Sequence, residues 1–201
     1  MAKLRITYNA PVVLTFTIAA VAAFVLTQLA PSMQPWFAAA PKLVDTQAYV
    51  GLVGHILGHA SWEHLLGNFM LILLIGPILE ERHGSLGLLV MIVVTALATS
   101  LVNLAIGSHY VMGASGIVFM MILLASMANV RGGEIPLTFI AVAIIYMGGE
   151  IVKSFHADGI SHMAHLVGGA VGAAFGFLAA GARRGKKLRA EPVVKNTKLP
   201  A

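Results

Sequence analysis

Six long apolar segments run through the chain, and they restrict its possible folds more than any other feature. They cover residues 11–30, 65–79, 86–106, 117–130, 136–152 and 162–182. A membrane-spanning helix needs about 20 apolar residues, with a range of roughly 17 to 25. The second and fourth segments are short, but they reach that length if the preceding polar residues His64 and Ser115 already lie inside the membrane. The sequence therefore predicts an all-α polytopic membrane protein with six transmembrane helices.

The composition also indicates a membrane protein. Of the 201 residues, 58% are hydrophobic and 10% are charged, whereas soluble domains are about 25% charged. Lys3 and Arg5 precede the first apolar segment, as basic residues do in a signal peptide. Signal peptides have an apolar core of only about 7 to 15 residues, so we interpret the longer segment here as a span. The absence of cysteine excludes disulfides and thiolate chemistry.

The distribution of basic residues predicts the orientation of the six helices. With the N-terminus inside the cell, 11 of the 13 Lys and Arg residues lie on the cytoplasmic side, and Lys42 and Lys153 are the exceptions. Cytoplasmic loops of membrane proteins carry this excess of positive charge. We therefore assign the net charge of +5 to topology and anionic lipid, and we do not expect nucleic acid as a partner. The outer loops would carry Asp45, Glu63, Glu150 and Asp158.

This orientation divides the chain into three parts. Residues 1–10 form a cytoplasmic N-terminus, residues 11–182 form the membrane domain, and residues 183–201 form a basic cytoplasmic tail that we expect to be disordered. The longest loop, 31–63, lies on the outer side. Its prolines, its tryptophans and its uncharged stretch 47–57 suit a segment that lies in the membrane interface.

Four polar residues from three apolar segments are predicted at a similar depth. A helix rises about 1.5 Å per residue, so the distance from the nearest cytoplasmic charge gives a height. The heights above the inner boundary are roughly 24 Å for Ser115, 27 Å for His165, 24 Å for His64 and 18 Å for Asn68. The hydrocarbon core is about 30 Å thick. All four side chains are therefore predicted just below the outer surface.

Ser115 is the candidate nucleophile, and His165 is the candidate base. A serine in a transmembrane helix usually bonds its own backbone, and this is the alternative for Ser115. Gly113 and Gly116 on either side favour the functional interpretation, because glycines let a backbone or a substrate approach closely. An ionisable residue at the depth of His165 indicates a function, although a neutral imidazole bonded to a neighbouring helix would also fit.

Glycines follow His165 along the sixth segment. Gly168, Gly172 and Gly176 are spaced by four and therefore form one stripe, which permits tight contact with another helix. If that helix is the fourth, Ser115 and His165 come within hydrogen-bond distance.

His64 and Asn68 are candidates for an oxyanion hole. They are four residues apart, so they share one face of a helix. Both side chains carry N–H donors, which an oxyanion hole requires. The alternative is a mutual hydrogen bond that only stabilises the second helix.

His55 and His59 have the spacing of a zinc-binding pair, but the metal interpretation is weak. An intramembrane metalloprotease would need H-E-x-x-H, in which the glutamate is the general base. The run here is HILGH, and Ile56 stands where that glutamate would be. We therefore expect neither a metal nor an organic cofactor.

An ordered set of motifs resembles a known family. The chain contains HASWEHLLGN before and within the second segment, LEERHGS after it, GASG before the fourth, and AHLVGG in the sixth. In this order and at these segments they resemble the rhomboid family of intramembrane serine proteases, in its minimal six-span bacterial form. The resemblance extends from the first span to the sixth.

The resemblance implies roles for individual residues. It implies a Ser115–His165 dyad without a catalytic aspartate, and an oxyanion hole formed by His64, Asn68 and the backbone N–H of Ser115. His59 would be a structural histidine of the first outer loop. Structural roles are also implied for the turn that contains Glu80, Arg82 and Gly84.

The chain departs from the family pattern at two places. Many members have a Trp-Arg pair in the first outer loop, where this chain has Val50 and Gly51, and this puts the rigidity of the loop in question. Many members also have a tyrosine one turn after the serine, where this chain has Phe119. The phenylalanine ring can still pack on His165, but a hydroxyl contact is lost.

These observations predict an intramembrane serine endopeptidase of a bacterial inner (plasma) membrane. Its partners would be the lipid bilayer and transmembrane protein substrates, which it would cleave near the outer face through an acyl-enzyme. Two alternatives remain: a rhomboid-like pseudoprotease that binds transmembrane helices without cleavage, and a small transporter or channel. In a channel, polar residues would line a path across the whole membrane. Below the candidate site the segments are apolar, with Asn103 and Asn129 as exceptions near opposite faces of the membrane.

Overall fold

The computed structural model describes residues 7–106, 109–127, 134–153 and 162–190. Side chains are described up to residue 152 in the third range and up to residue 181 in the last. Several predictions fall outside the described residues or side chains, namely those on Lys3, Arg5, Asn129, Arg131, Lys153, Asp158, Arg183 and residues 191–201.

The described residues are almost entirely helical. The α-helices are α1 (Pro11–Leu29), α2 (Thr46–Gly54), α3 (Trp62–His83), α4 (Ser85–Ile106), α5 (Ser115–Ser126), α6 (Leu137–Ala143), α7 (Gly149–Lys153) and α8 (His162–Ala190). Short 3₁₀ helices occupy Pro31–Phe37 and His55–Leu57, and a π-helical turn, Ile144–Gly148, joins α6 to α7. The all-α prediction is therefore confirmed for the described part of the chain.

Four of the described helices are long and apolar enough to cross a membrane. They are α1, α3, α4 and the part of α8 up to Gly181, while Ser115–Ser126 and Leu137–Val152 are shorter apolar helices. The predicted fourth segment ends among residues that are not described. The described residues thus contain four candidate membrane-spanning helices by length and composition, and the count of six remains a prediction.

One exposed side of α3 is suited to contact with lipid. Leu66, Met70, Leu74 and Ile78 are spaced by four along α3, and each is at least half exposed. In water such a continuous apolar stripe would be unfavourable, because each Å² of apolar surface left exposed costs roughly 25 cal/mol of free energy. A hydrocarbon environment removes that cost, so this stripe agrees with a helix that faces the bilayer.

The centre of the fold is α5, which is buried on nearly every side. Eight of its residues are buried, including Ile117, Met120 and Leu123 at 1% exposure or less. It packs against α3, α4, α6 and α8, and its most extensive contact is with α8. A helix that is apolar on all sides is expected at the core. The residues that follow Ser115 at the start of α5, Gly116 and Ile117, are therefore buried within the protein.

Glu80 joins the end of α3 to the start of α1. Its two carboxylate oxygens accept hydrogen bonds from the backbone N–H groups of Val12 and Val13, each at 3.0 Å, and Ser85 Oγ donates to the same carboxylate at 2.7 Å. The first N–H groups of a helix have no partner within it, and negative charge is favourable there. Gly84 then ends the turn with φ of 75°. These contacts explain the LEERHGS motif as a structural element.

The outer loop between α1 and α3 is ordered in spite of its missing Trp-Arg pair. Gly51 lies so close to the Ala38 backbone that an added Cβ would clash with the Ala38 carbonyl oxygen. Ala39 and Val111 exchange two backbone hydrogen bonds of 2.8 and 3.0 Å, which tie the loop to the segment before α5. Close backbone packing thus restrains the loop in the absence of a Trp-Arg pair at residues 50 and 51.

The prediction of a disordered tail is wrong for its first residues. The final helix continues past residue 182 to Ala190. Extending an existing helix costs little, because the unfavourable step is nucleation and not propagation. Ala, Lys and Arg, which dominate residues 182–190, are also good helix formers.

Candidate active site

Ser115 is the first residue of α5, a position that favours a nucleophile. The helix is preceded by Ala114, which provides no side-chain cap, and the first helical bond runs from Val118 N–H to the Ala114 carbonyl oxygen at 3.0 Å. The N–H groups of the first turn therefore have no acceptor inside the helix. They also lie at the positive end of the helix dipole, where developing negative charge is stabilised.

One cavity brings together the four residues that the depth estimate singled out. It has a volume of about 610 Å³, and Ser115, His165, His64 and Asn68 all line it. Gly113 and Gly116 also contribute to its wall. The side chains come from α3, α5 and α8, which are far apart in sequence, so tertiary packing assembles the site.

The glycine stripe of α8 lies against α5. A Cβ added at Gly168 would clash with the Gly116 carbonyl oxygen, and one added at Gly172 would clash with the Met120 carbonyl oxygen. Glycine is therefore required at both positions for the two backbones to come this close. Because Gly168 lies one turn after His165, the contact holds the histidine beside the start of α5.

The ring of His165 is fixed in its plane by Phe119. The two rings are stacked with their centroids 4.5 Å apart and an angle of 5° between their planes. The ring of Tyr146 packs edge-on against the ring of Phe119, with their centroids 5.9 Å apart. The Phe119 ring therefore packs on the His165 ring, as expected from the sequence.

Gly113 allows His64 to reach the site. Its φ is 124°, a value that side chains rarely permit. A Cβ at Gly113 would also lie 2.7 Å from both Cε1 and Nε2 of His64. The glycine thus meets two requirements, since it makes the turn before Ser115 and gives space to the imidazole.

Asn68 bonds His59 and not His64, so the alternative of a mutual hydrogen bond between His64 and Asn68 is wrong. Asn68 Nδ2 donates to His59 Nε2 at 3.0 Å, and the Ala114 N–H points at the same nitrogen at 3.4 Å. The other ring nitrogen, Nδ1, donates to the Leu57 carbonyl oxygen at 3.1 Å. His59 therefore connects the outer loop, α3 and the turn before Ser115, and an amide has a second N–H that can serve the cavity.

His55 and His59 are held as neutral structural residues. Burial lowers the pKa of His55 to about 4 and, as the largest of its causes, lowers the pKa of His59 to about 4. Nδ1 of His55 contacts the Gly51 carbonyl oxygen at 3.1 Å and Ser100 Oγ at 3.2 Å. The two histidines bond to protein groups of different elements, which agrees with structural roles.

Glu150 is a site residue that the sequence analysis assigned to an outer loop. It is 4% exposed, and its Oε2 accepts hydrogen bonds from Nδ1 of His165 at 2.6 Å and Nδ1 of His162 at 2.7 Å. The signal in the sequence was weak: His162 and His165 are three apart and share a helical face. A lone glutamate at the end of an apolar segment is equally typical of a loop.

The same three residues form a group that could hold a metal ion. Ligand atoms of Glu150, His162 and His165 lie within 4.8 Å of one another, and two histidines with a glutamate are a known zinc donor set. Among the described residues this group lies at His165, away from His55 and His59, whose spacing alone resembled a zinc pair.

Comparisons with known proteins agree with the motifs. The profile of the rhomboid domain matches residues 46–182. Rhomboid-related protein 1 of Caenorhabditis elegans is 35% identical over 134 residues, which cover 60% of this chain and 37% of that protein. Rhomboid-like protein 11, chloroplastic, of Arabidopsis thaliana is 27% identical over 130 residues, or 57% of this chain and 46% of that protein. The chain thus aligns with less than half the length of either relative. With a match that extends from α2 to the end of the apolar part of α8, the chain belongs to the rhomboid family.

Proposed function

We propose that the chain is a serine endopeptidase that cleaves transmembrane segments of other proteins near the outer membrane face. The observation that carries the proposal is the shared cavity of Ser115 and His165. Ser115 stands at the N-terminus of the buried helix α5, and the glycine contact with α8 brings His165 to the same place. A serine and a histidine in one cavity are the parts that nucleophilic acyl transfer needs.

The reaction proceeds in two steps. His165 accepts the Ser115 proton while Oγ attacks the substrate carbonyl, and the imidazolium then gives this proton to the leaving amine. Water hydrolyses the resulting acyl-enzyme by the same route. The oxyanion is held by the Ser115 backbone N–H, His64 and the second amide N–H of Asn68. No metal or organic cofactor takes part in these steps.

The proposal includes a six-span topology with both termini in the cytoplasm of a bacterial cell. The two shorter helices, α5 and the run from α6 to α7, are the remaining spans. Of the two, α5 can be shorter than a free-standing span because it is enclosed by other helices. The domain would occupy residues 11–182, and transmembrane substrates would reach the cavity from the side.

The direct test is cleavage of a transmembrane reporter. The purified chain in liposomes is expected to cut a reporter whose single membrane helix contains glycine near its outer end, and Ser115→Ala is expected to leave it intact. A serine-reactive fluorophosphonate should label the unaltered chain and not the variant.

Binding of the reporter without any cleavage, at every pH between 6 and 8, would instead support the pseudoprotease. Substantial cleavage by a correctly folded Ser115→Ala chain would remove Ser115 from the mechanism. The circular dichroism spectrum and the melting temperature of the variant serve as the control for folding.

Asn68→Ala should lower turnover and leave the Michaelis constant nearly unchanged. Removing one oxyanion donor typically costs about 100- to 1,000-fold in turnover, and we expect the lower end because His64 and the Ser115 amide remain. The variant also loses the bond to His59, so its melting temperature must be measured beside its kinetics.

His59→Phe provides the matched control, because it breaks the same bond and leaves the Asn68 amide in place. If both variants lose stability equally and neither loses turnover per folded molecule, the oxyanion hole lies elsewhere.

A further inference from the structure

The buried carboxylate of Glu150 points to a third residue in the site, and this inference rests on the function proposed above. Glu150 is 4% exposed in a largely apolar protein. A buried carboxylate costs several kcal/mol unless it is paired and hydrogen-bonded. Two histidines of α8, His162 and His165, bond to it. The Glu150 carboxylate therefore lies against His165, the base of the proposed reaction.

The geometry of the bond decides which nitrogen of His165 is basic. Oε2 of Glu150 lies 2.6 Å from Nδ1 of His165, so the two atoms share a hydrogen bond. An ionised carboxylate only accepts, so Nδ1 carries the proton when Glu150 is charged. In the neutral ring Nε2 is then the unprotonated nitrogen, and this is the nitrogen that must take the Ser115 proton.

Two contacts together leave the imidazole a single orientation. Stacking on Phe119, with an angle of 5° between the rings, fixes the ring plane. The bond to Glu150 fixes the rotation within that plane, because it ties Nδ1 to a buried carboxylate. A base held in this way needs no reorientation before each proton transfer.

The helix that carries Glu150 is shaped for this contact. A π-helical turn, Ile144–Gly148, lies directly before α7. Such a turn changes the angular register of the residues after it, and π turns occur often at functional sites. Glu150 therefore does not lie on the face that an uninterrupted α-helix starting at Leu137 would give it. His162 donates a second hydrogen bond of 2.7 Å to the same oxygen and helps to hold the carboxylate.

We propose that Glu150 is the positioning residue of His165, so that the site works as Ser115, His165 and Glu150 in series. Glu150 keeps Nδ1 protonated and stabilises the imidazolium that forms when Nε2 takes the Ser115 proton. The proton goes from Oγ to Nε2 and then to the leaving amine nitrogen, while the Oγ–carbon bond forms and the carbon–nitrogen bond breaks. Glu150 is not protonated at any step.

Glu150→Gln is the decisive variant, because it keeps the size and removes the charge. An amide can also turn its NH₂ group toward Nδ1 and favour the wrong tautomer, a change that costs about 10⁴-fold in turnover in a serine protease triad. We expect turnover to fall on the order of 100- to 10,000-fold, with the Michaelis constant unchanged. Labelling by the fluorophosphonate should slow in parallel, and Glu150→Asp should lie between the two.

Glu81→Gln is the matched control, because it makes the same substitution at an exposed position outside the site, and we expect it to keep the turnover of the unaltered chain. His162→Asn removes a ring that helps to hold the Glu150 carboxylate but keeps an N–H donor, and we expect it to lose less turnover than Glu150→Gln. All assays contain a chelator, so that a divalent cation on the same side chains cannot cause the loss. Equal losses in stability for Glu150→Gln and His162→Asn, with unaltered turnover per folded molecule, would make Glu150 purely structural.

A spectroscopic measurement tests the proposal even if Glu150→Gln does not fold. In the unaltered chain with ¹⁵N-labelled histidine, neutral His165 is expected as the tautomer with a proton on Nδ1, and the His165→Gln spectrum assigns its signals. A proton on Nε2 would overturn the positioning role. If the unaltered chain neither cleaves nor is labelled, the proposed function fails, and the tautomer still decides the role of Glu150.

Discussion

Replacing His165 by alanine is expected to stop proteolysis as completely as replacing Ser115. Loss of either member of a nucleophile–base pair costs on the order of 10⁶-fold in turnover. The reason is that a serine hydroxyl is a weak nucleophile until a base takes its proton. His165 is 9% exposed and is held between Phe119 and Glu150. We therefore expect no other histidine to take its place as the base in the alanine variant. The measurement is reporter cleavage in liposomes over several days.

The double variant Ser115→Ala, His165→Ala should be no slower than either single variant. Residues that act as one unit are strongly non-additive, because the second loss removes nothing that the first had left working. A double variant that is slower than both single variants by the product of their losses would show that the two act in separate steps. Inserted and folded protein must be shown for each variant, since the alanine at residue 165 also leaves Glu150 with one histidine fewer.

The apolar segments predicted the helices well because lipid leaves the backbone few choices. Without water in the bilayer every N–H and C=O must bond within the protein, and a helix does this inside one segment. The predicted segment 11–30 and the observed helix Pro11–Leu29 differ by one residue at the end. The segment starting at residue 117 begins at Ser115 in the structure, because the turn before it is set by Gly113 and by contacts with the outer loop.

The predicted depths identified residues of one site because the helices of a bundle run side by side across the membrane. Residues at equal heights can meet, and Ser115, His165, His64 and Asn68 line one cavity. Height alone cannot give the direction of a side chain around its helix. For this reason the hydrogen bond from Asn68 to His59 was missed, since it depends on how the loop at His59 folds back over α3.

Glu150 could not be recognised from the sequence for a related reason. A charge at the end of an apolar segment is read as a loop residue, because an isolated buried charge is costly. Its burial becomes favourable only when His162 and His165 arrive from the next helix. The π-helical turn that changes its register has no marker in the pattern of apolar residues.

Substituting valine at Gly168 is expected to lower both stability and activity. The Gly116 carbonyl oxygen occupies the space that a Cβ at Gly168 would need, and the atom in the way belongs to the backbone of a buried helix. It cannot move aside as a flexible side chain can. Overpacking of a core typically costs 1–3 kcal/mol, and we expect about 3 kcal/mol in the free energy of unfolding. Forcing α5 and α8 apart also separates Ser115 from His165, and a displacement of about 1 Å can cost about 100-fold in turnover.

Gly181→Val is the matched control for this prediction. Gly181 lies in the same helix, and an added Cβ there would meet no atom within 4 Å. Both variants carry the same cost of placing a branched residue in a helix, so the difference between them reports the contact with α5. Melting temperatures and reporter turnover are measured for both, together with Gly172→Val, whose Cβ would clash with the Met120 carbonyl oxygen. We expect Gly168→Val and Gly172→Val to be impaired and Gly181→Val to match the unaltered chain. Equal behaviour of all three variants would mean that the glycine stripe does not set the distance between the two helices.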